Sequence, residues 1–287
     1  MRKRQFVRAG AILVLLVATV AAAMAQRDDD RDSGLCAGLP RYSDLKAALA
    51  AAVAAENSGL NNQMWATIVD RDGVVCAVAF SGSNRGAQWP GSRVISAQKA
   101  NTANAFSLDS GSNSGGSGQA AGLALSTANL FSAVQPGGSL YGLQHSNPVD
   151  TGTAYQGPSA RYGTATDPMV GRKIGGVNVF GGGLALYTNR HVIVGGLGVS
   201  GDTSCADHNI AWRVRNLLGF DHLGAYSAVP AVAGPASLFA GDAQRPDNII
   251  FDIVPNPAGG IGQSLSGFGH PTCLNTSGSA SLPAVRP

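Results

Sequence analysis

The sequence predicts an α/β (α+β) protein with a mainly antiparallel sheet and helices packed on it. Three observations predict this class. Two apolar runs, 177–187 and 191–200, flank the polar turn Thr188-Asn189-Arg190, as in a β-hairpin. An earlier pair, 64–70 and 74–80, flanks Asp70-Arg71-Asp72-Gly73, a tight turn with an Asp-Gly signal. Segments of helical periodicity adjoin both hairpins, and 39 glycines with few charges point to tight turns and close packing.

The elements follow in order. Residues 2–8 carry Arg2, Lys3, Arg4 and Arg8, and 9–23 is apolar and ends near Ala23-Met24-Ala25. This predicts a signal peptide over 1–25, cleaved after Ala25, and a periplasmic or secreted mature protein. The apolar stretch is shorter than the roughly 20 residues of a membrane span, so no stable anchor is expected after cleavage. Lys3-Arg4-Gln5-Phe6-Val7 also resembles a twin-arginine signal with lysine in the first position. Cleavage removes four of the 20 Lys+Arg and none of the 17 Asp+Glu, leaving 16 against 17. The mature chain is therefore near neutral, with no basic stripe and no nucleic-acid partner expected.

Residues 26–41 read as a flexible, charged segment. A helix over 42–57 has Ser43 as its expected cap, Asp44 at its positive end and the stripe Leu45, Leu49, Ala52 and Val53. A second helix over 92–106 carries small residues, Ala97, Ala100 and Ala103, that allow a close neighbour, while Lys99 and Asn104 are its polar positions. A flexible Gly/Ser-rich loop (109–118), a short helix (123–134) and a weakly periodic segment (139–173) follow. In 191–200, Gly196 and Gly198 share one strand face, opposite Leu197 and Val199. Glycine on a strand face admits close approach, and we expect a flat guest there. Ala206, Ile210, Val214 and Leu217 recur at helical spacing, and Gly219 suits a C-cap. Residues 247–254 read as an extra strand, 264–273 as a glycine-rich loop and 274–287 as a disordered tail.

Cys36, Cys76, Cys205 and Cys273 are an even set in an exported chain, which predicts disulfides. Cys36–Cys76 with Cys205–Cys273 is the expected pairing among three possible ones. The absence of CxxC argues against a structural zinc site.

One ordered series of motifs carries a family resemblance. Val69-Asp70-Arg71-Asp72-Gly73 is followed by Lys99-Ala100-Asn101-Thr102-Ala103, then Gly175-Gly176-Val177, then Gly198-Val199-Ser200-Gly201, and then Asp207 with Ala211. The series resembles the GlcG/HbpS-type haem-binding family, related to the PduO C-terminal domain. It covers 42–106 and 172–219. The resemblance implies a profilin-like sandwich, homo-oligomers and, in some members, haem. It frames 42–273 as one domain with an insertion at 107–171 and an extension at 220–273. Neither addition belongs to the common core.

Haem needs an apolar slot, an axial ligand and cations for its propionates. Gly196 and Gly198 are the expected wall. Among His145, His191, His208, His222 and His270, His208 ranks first as iron ligand because it follows the hairpin directly. His145 ranks with it because its loop is otherwise unexplained. His208→Ala is expected to weaken haem binding more than His270→Ala. Lys99 and Arg213, with Arg215 and Arg190, are the expected propionate partners. The absence of CxxCH excludes covalent c-type attachment.

Other chemistries read less well. Gly196-Leu197-Gly198-Val199-Ser200-Gly201, with Asp221 about 20 residues on, matches a dinucleotide fingerprint, but the hairpin before it is antiparallel in pattern. Ser200 lacks the second glycine of G-x-S-x-G. Asp202, Cys205, Asp207 and His208 could hold a metal, yet both acids also suit a helix N-terminus. No catalytic residue is assigned. Two further readings are an enzyme acting on a small carboxylated or hydroxylated metabolite and a ligand-free oligomeric structural protein.

Overall fold

The computed structural model describes residues 34–108, 123–223, 244–260 and 262–287. The expected signal peptide, the start of the 26–41 segment and the expected 109–118 loop therefore lie outside the described residues. The chain divides into two compact units, Met1–Gly38 and Leu39–Pro287. The described part of the first is a turn in which Cys36 takes φ 61° and is disulfide-bonded.

The second unit is built on a four-stranded sheet. Helix α1 (Tyr42–Ala55) leads into β1 (Trp65–Asp70) and β2 (Val75–Phe80), and α2 (Ser92–Ala105) follows. The short helices α3 (Leu143–Ser146) and α4 (Thr151–Ala154) precede the hairpin β3 (Gly183–Tyr187) and β4 (Ile193–Ser200). Helix α5 (Ser204–Leu218) comes next, then a two-stranded ribbon of β5 (Ile253–Val254) and β6 (Gln263–Ser264). Strand order in the large sheet is β2-β1-β4-β3, and every pairing is antiparallel. The predicted α/β class is the one observed. Residues 177–182, expected in the hairpin's first strand, are not strand.

Alternation along the strands divides the core. Ile68, Leu184, Leu186, Leu197 and Val199 pack with Leu45 and Leu49 of α1 and Ile210 and Val214 of α5. Trp65, Val69, Val78 and Phe80 pack on the opposite side with Val94, Ala97 and Ala100 of α2. The sheet is thus sandwiched between α2 and the α1–α5 pair.

The cap of α1 differs from the expectation. Arg41 holds the N-cap position, and the Asp44 carboxylate accepts the Arg41 backbone N–H at 3.1 Å. Ser43 already lies inside the helix. Helix α5 ends as expected on Gly219, with φ 76°.

Residues 123–134 form two 3-10 turns, Thr127–Leu130 and Ser132–Val134, rather than one helix. The Asn129 side chain accepts from the backbone N–H and hydroxyl of Ser126, local bonds that compete with the helical ladder. The strand expected over 247–254 shrinks to two residues. Asp247 and Asn248 turn inward to meet Arg215 and His208, and Ile249 and Ile250 are both buried.

The tail at 274–287, expected to be disordered, packs against the domain. Leu282 is 1% exposed, Trp212 donates its indole N–H to the Pro283 carbonyl at 2.9 Å, and Arg286 pairs with Asp221. Apolar side chains spaced along a polar sequence escape a compositional reading. The 107–171 segment, expected as an insertion, is anchored at its described part: the buried Arg93 on α2 donates to Asp167 at 2.9 Å and to the Ala154 carbonyl at 2.7 Å.

Candidate functional site

The glycine face does not form an open wall. A Cβ on Gly198 would lie 1.9 Å from the Ser96 carbonyl oxygen, and one on Gly196 would lie 2.2 Å from that of Ala100. Both glycines admit the backbone of α2, so the slot expected beside them is filled by the protein itself. Thr67, opposite Gly198 in the sheet, completes the contact through its hydroxyl, 2.7 Å from that of Ser96.

Three of the four expected propionate partners are engaged elsewhere. Lys99 is 1% exposed and donates to Asp207 at 2.6 Å and to the Val199 carbonyl at 3.1 Å. Burial raises the Asp207 carboxyl to about 6 against the pull of Lys99, so it still ionises at neutral pH. Arg213 pairs with Glu56 at 3.3 Å. Arg215 is fully buried and forks onto Asp247 at 2.6 and 2.8 Å. Arg190 lies exposed on the hairpin turn.

The metal reading of Asp202, Cys205, Asp207 and His208 fails as well. Asp202 accepts the backbone N–H groups of Leu60 and Asn62 at 2.8 and 2.9 Å. Cys205 is joined to Cys273 in a disulfide, one of the two expected pairs. Cys36 and Cys76 are also disulfide-bonded, and no described cysteine is free. The dinucleotide reading falls because β4 pairs antiparallel with both its neighbours. Ser200 ends that buried strand as the backbone partner of Trp65.

The histidines separate clearly. His145 is exposed on α3. His208 is fully buried on α5, where its Nε2 meets the Asn248 side-chain oxygen at 3.2 Å. Burial pushes its pKa down to about 3. His270 is 1% exposed, and its Nδ1 lies 2.7 Å from the Pro271 carbonyl. A carbonyl only accepts, so Nδ1 carries the proton and Nε2 keeps its lone pair. That Nε2 is buried with no hydrogen-bond partner. Burial lowers the His270 pKa to about 4, which keeps the imidazole neutral at pH 7. His208 Nδ1 is the other orphaned ring nitrogen among the described residues.

The next residue along the chain, Pro271, lines a cavity of about 700 Å³; His270 itself sits behind that lining. Its ring lies 5.1 Å from that of Phe131, and both Phe131 and Pro271 line the cavity. Ala133, Pro136 and Ile253 add apolar surface, and Gln263 and Ser264 add polar edges. The volume is in the range of small-molecule sites. In the sequence, His270-Pro271 lies in a glycine-rich loop and carries no signal that sets it above His208 or His145. The 3-10 turn at Phe131 and the two-residue ribbon that complete the cavity have no periodic signature.

Fold and site define an antiparallel α/β sandwich with a neutral, buried imidazole close to a cavity of mixed polar and apolar lining. The chain belongs to the family described as haem degrading protein HbpS-like, whose model matches residues 42–215. No curated protein matches it. Among solved structures it is similar to one titled "Crystal Structure of PduOC:Heme Complex", at 22% identity over 61% of this chain and 89% of that one, with a TM-score of 0.39. It is likewise similar to protein ORFY of Klebsiella pneumoniae, at 24% identity over 61% and 86%, with a TM-score of 0.38.

Proposed function

We propose that this protein binds haem non-covalently in the cavity beside His270. The observation that carries the reading is the orphaned Nε2: a neutral, buried imidazole oriented through Nδ1 is what an axial ligand requires. Family membership names the ligand class. Phe131, Pro136 and Ile253 supply apolar surface for the macrocycle. Among the described residues none that lines the cavity is charged, so the propionates stay in water at its mouth. His270 is 1% exposed, so coordination requires its loop to shift toward the cavity.

Bound iron supplies redox and ligand-exchange chemistry. The chain's own residues orient the imidazole and keep it unprotonated. Export is part of the proposal, supported by the basic start, the apolar 9–23 stretch and the disulfide-bonded cysteines. No helix among the described residues is long and apolar enough to cross a membrane. The proposed role is sensing, sequestration or delivery by a homo-oligomer.

Titrating hemin into the purified, oxidised chain beginning at residue 26 tests the proposal. A saturable Soret shift at one equivalent is expected. Ser139→Trp, at an exposed position on the cavity mouth, is expected to weaken it tenfold or more. A wild-type chain with no saturable shift would end the reading.

A further inference from the structure

The segment that carries His270 also carries Cys273, and the disulfide ties it to the first turn of α5. One ligand atom each from Cys205, His270 and Cys273 fall within 4.8 Å of one another. We propose that two-electron reduction of the Cys205–Cys273 disulfide opens a Cys2His site for a thiophilic divalent cation of the zinc class.

The geometry favours a labile disulfide and a stable thiolate. Cys273 Sγ accepts the backbone N–H of Cys205 at 3.2 Å and lies 3.5 Å from the Ser204 hydroxyl. Ser204 and Cys205 are the first two residues of α5. Cys273 sulfur thus rests on a helix N-terminus, where exposed N–H groups and the helix dipole stabilise negative charge. His270 contributes a buried Nε2 that has no hydrogen-bond partner. Cys205 is 1% exposed, whereas Cys273 is partly exposed and gives reductant and metal a way in. The nearby Lys99 charge is neutralised by its 2.6 Å pair with Asp207. A tetrahedral zinc with Zn–S near ~2.3 Å and Zn–N near ~2.0 Å sets its ligand atoms about 3.5–3.8 Å apart, so small side-chain movements complete the site.

The reaction balances. An external dithiol attacks the disulfide, leaves as its own cyclic disulfide and delivers two electrons and two protons to Cys205 and Cys273. The cation then displaces both thiol protons and takes the imidazole lone pair, leaving a fourth position for water.

Cobalt(II) is the probe. The full mature chain is reduced with dithiothreitol, desalted without oxygen and titrated. The expected result is one equivalent bound, with thiolate-to-cobalt charge transfer and intense tetrahedral ligand-field bands that zinc abolishes. The oxidised chain should give neither. Because reduction also frees Cys36 and Cys76, the titration is repeated in Cys36→Ser/Cys76→Ser, which should keep the bands; there Cys205→Ser/Cys273→Ser should lose them, and His270→Ala should keep charge transfer while binding about tenfold or more weakly. No stoichiometric band in the reduced wild type would overturn the proposal. So would bands that survive Cys205→Ser/Cys273→Ser, or an affinity indifferent to His270→Ala. Haem binding is read on the oxidised chain by its Soret band, so the two proposals fail separately.

Discussion

Gly198 and Ser96 are in backbone contact: a Cβ on the glycine would lie 1.9 Å from the serine's carbonyl oxygen. This approach seats α2 on the sheet. Gly183 shows the same demand in the adjacent strand, where a Cβ would come 2.5 Å from the Lys99 carbonyl. Gly198→Val is therefore expected to destabilise the fold by about 3 kcal/mol or more, since neither backbone can yield without moving the helix. Urea denaturation measures the loss. A change under about 0.5 kcal/mol would mean that α2 does not lie where it is described.

Lys99 and Asp207 form a buried ion pair that joins α2 to α5. Removing one partner leaves the other charge uncompensated. Lys99→Met is expected to cost roughly 3–5 kcal/mol, and Lys99→Met/Asp207→Leu to recover most of it. Chemical denaturation of the two variants checks the pair. Equal losses would show that the single substitution acts through packing alone.

His208 sets a pH dependence. Its pKa falls from the unfolded value near 6.5 to about 3 in the fold because burial disfavours the cation. The fold therefore keeps its full stability from this group above pH 6.5 and loses it as pH falls from 6.5 toward 3. By pH 4 the loss is roughly 3 kcal/mol. Thermal melts across that range should show the decline, and His208→Gln should make it shallower, the buried His270 supplying a further part of it. An identical slope in the variant would remove His208 as the cause.

The C-terminal residues act as part of the core. Deleting 282–287 removes the buried Leu282 and Val285 and strips the Trp212 indole of its acceptor. A loss of about 3 kcal/mol is expected. A truncated chain with an unchanged melting temperature would contradict this.

The sheet, three long helices and their order were legible in the sequence because each buries a face with its own period. Leu197 and Val199 alternate with Gly196 and Gly198, and Ile210 and Val214 recur at helical spacing. The meaning of the glycine face was not legible. Bare backbone on a strand admits a helix or a ligand equally, and only the position of Ser96 and Ala100 decides. Nor was the role of Lys99, whose partner Asp207 lies far along the chain. The cavity depends on Phe131, Ile253 and Pro271, which meet only in three dimensions.

The central claim is that His270 offers its Nε2 to haem iron. The direct measurement is the absorption and electron paramagnetic resonance spectrum of hemin-loaded His270→Gly, with and without added imidazole. The account predicts that the variant loses the imidazole-ligated signature and regains it when imidazole is supplied, while His145→Ala and His208→Ala keep it. A spectrum identical to wild type in His270→Gly, or a signature lost instead in His208→Ala, would contradict the account.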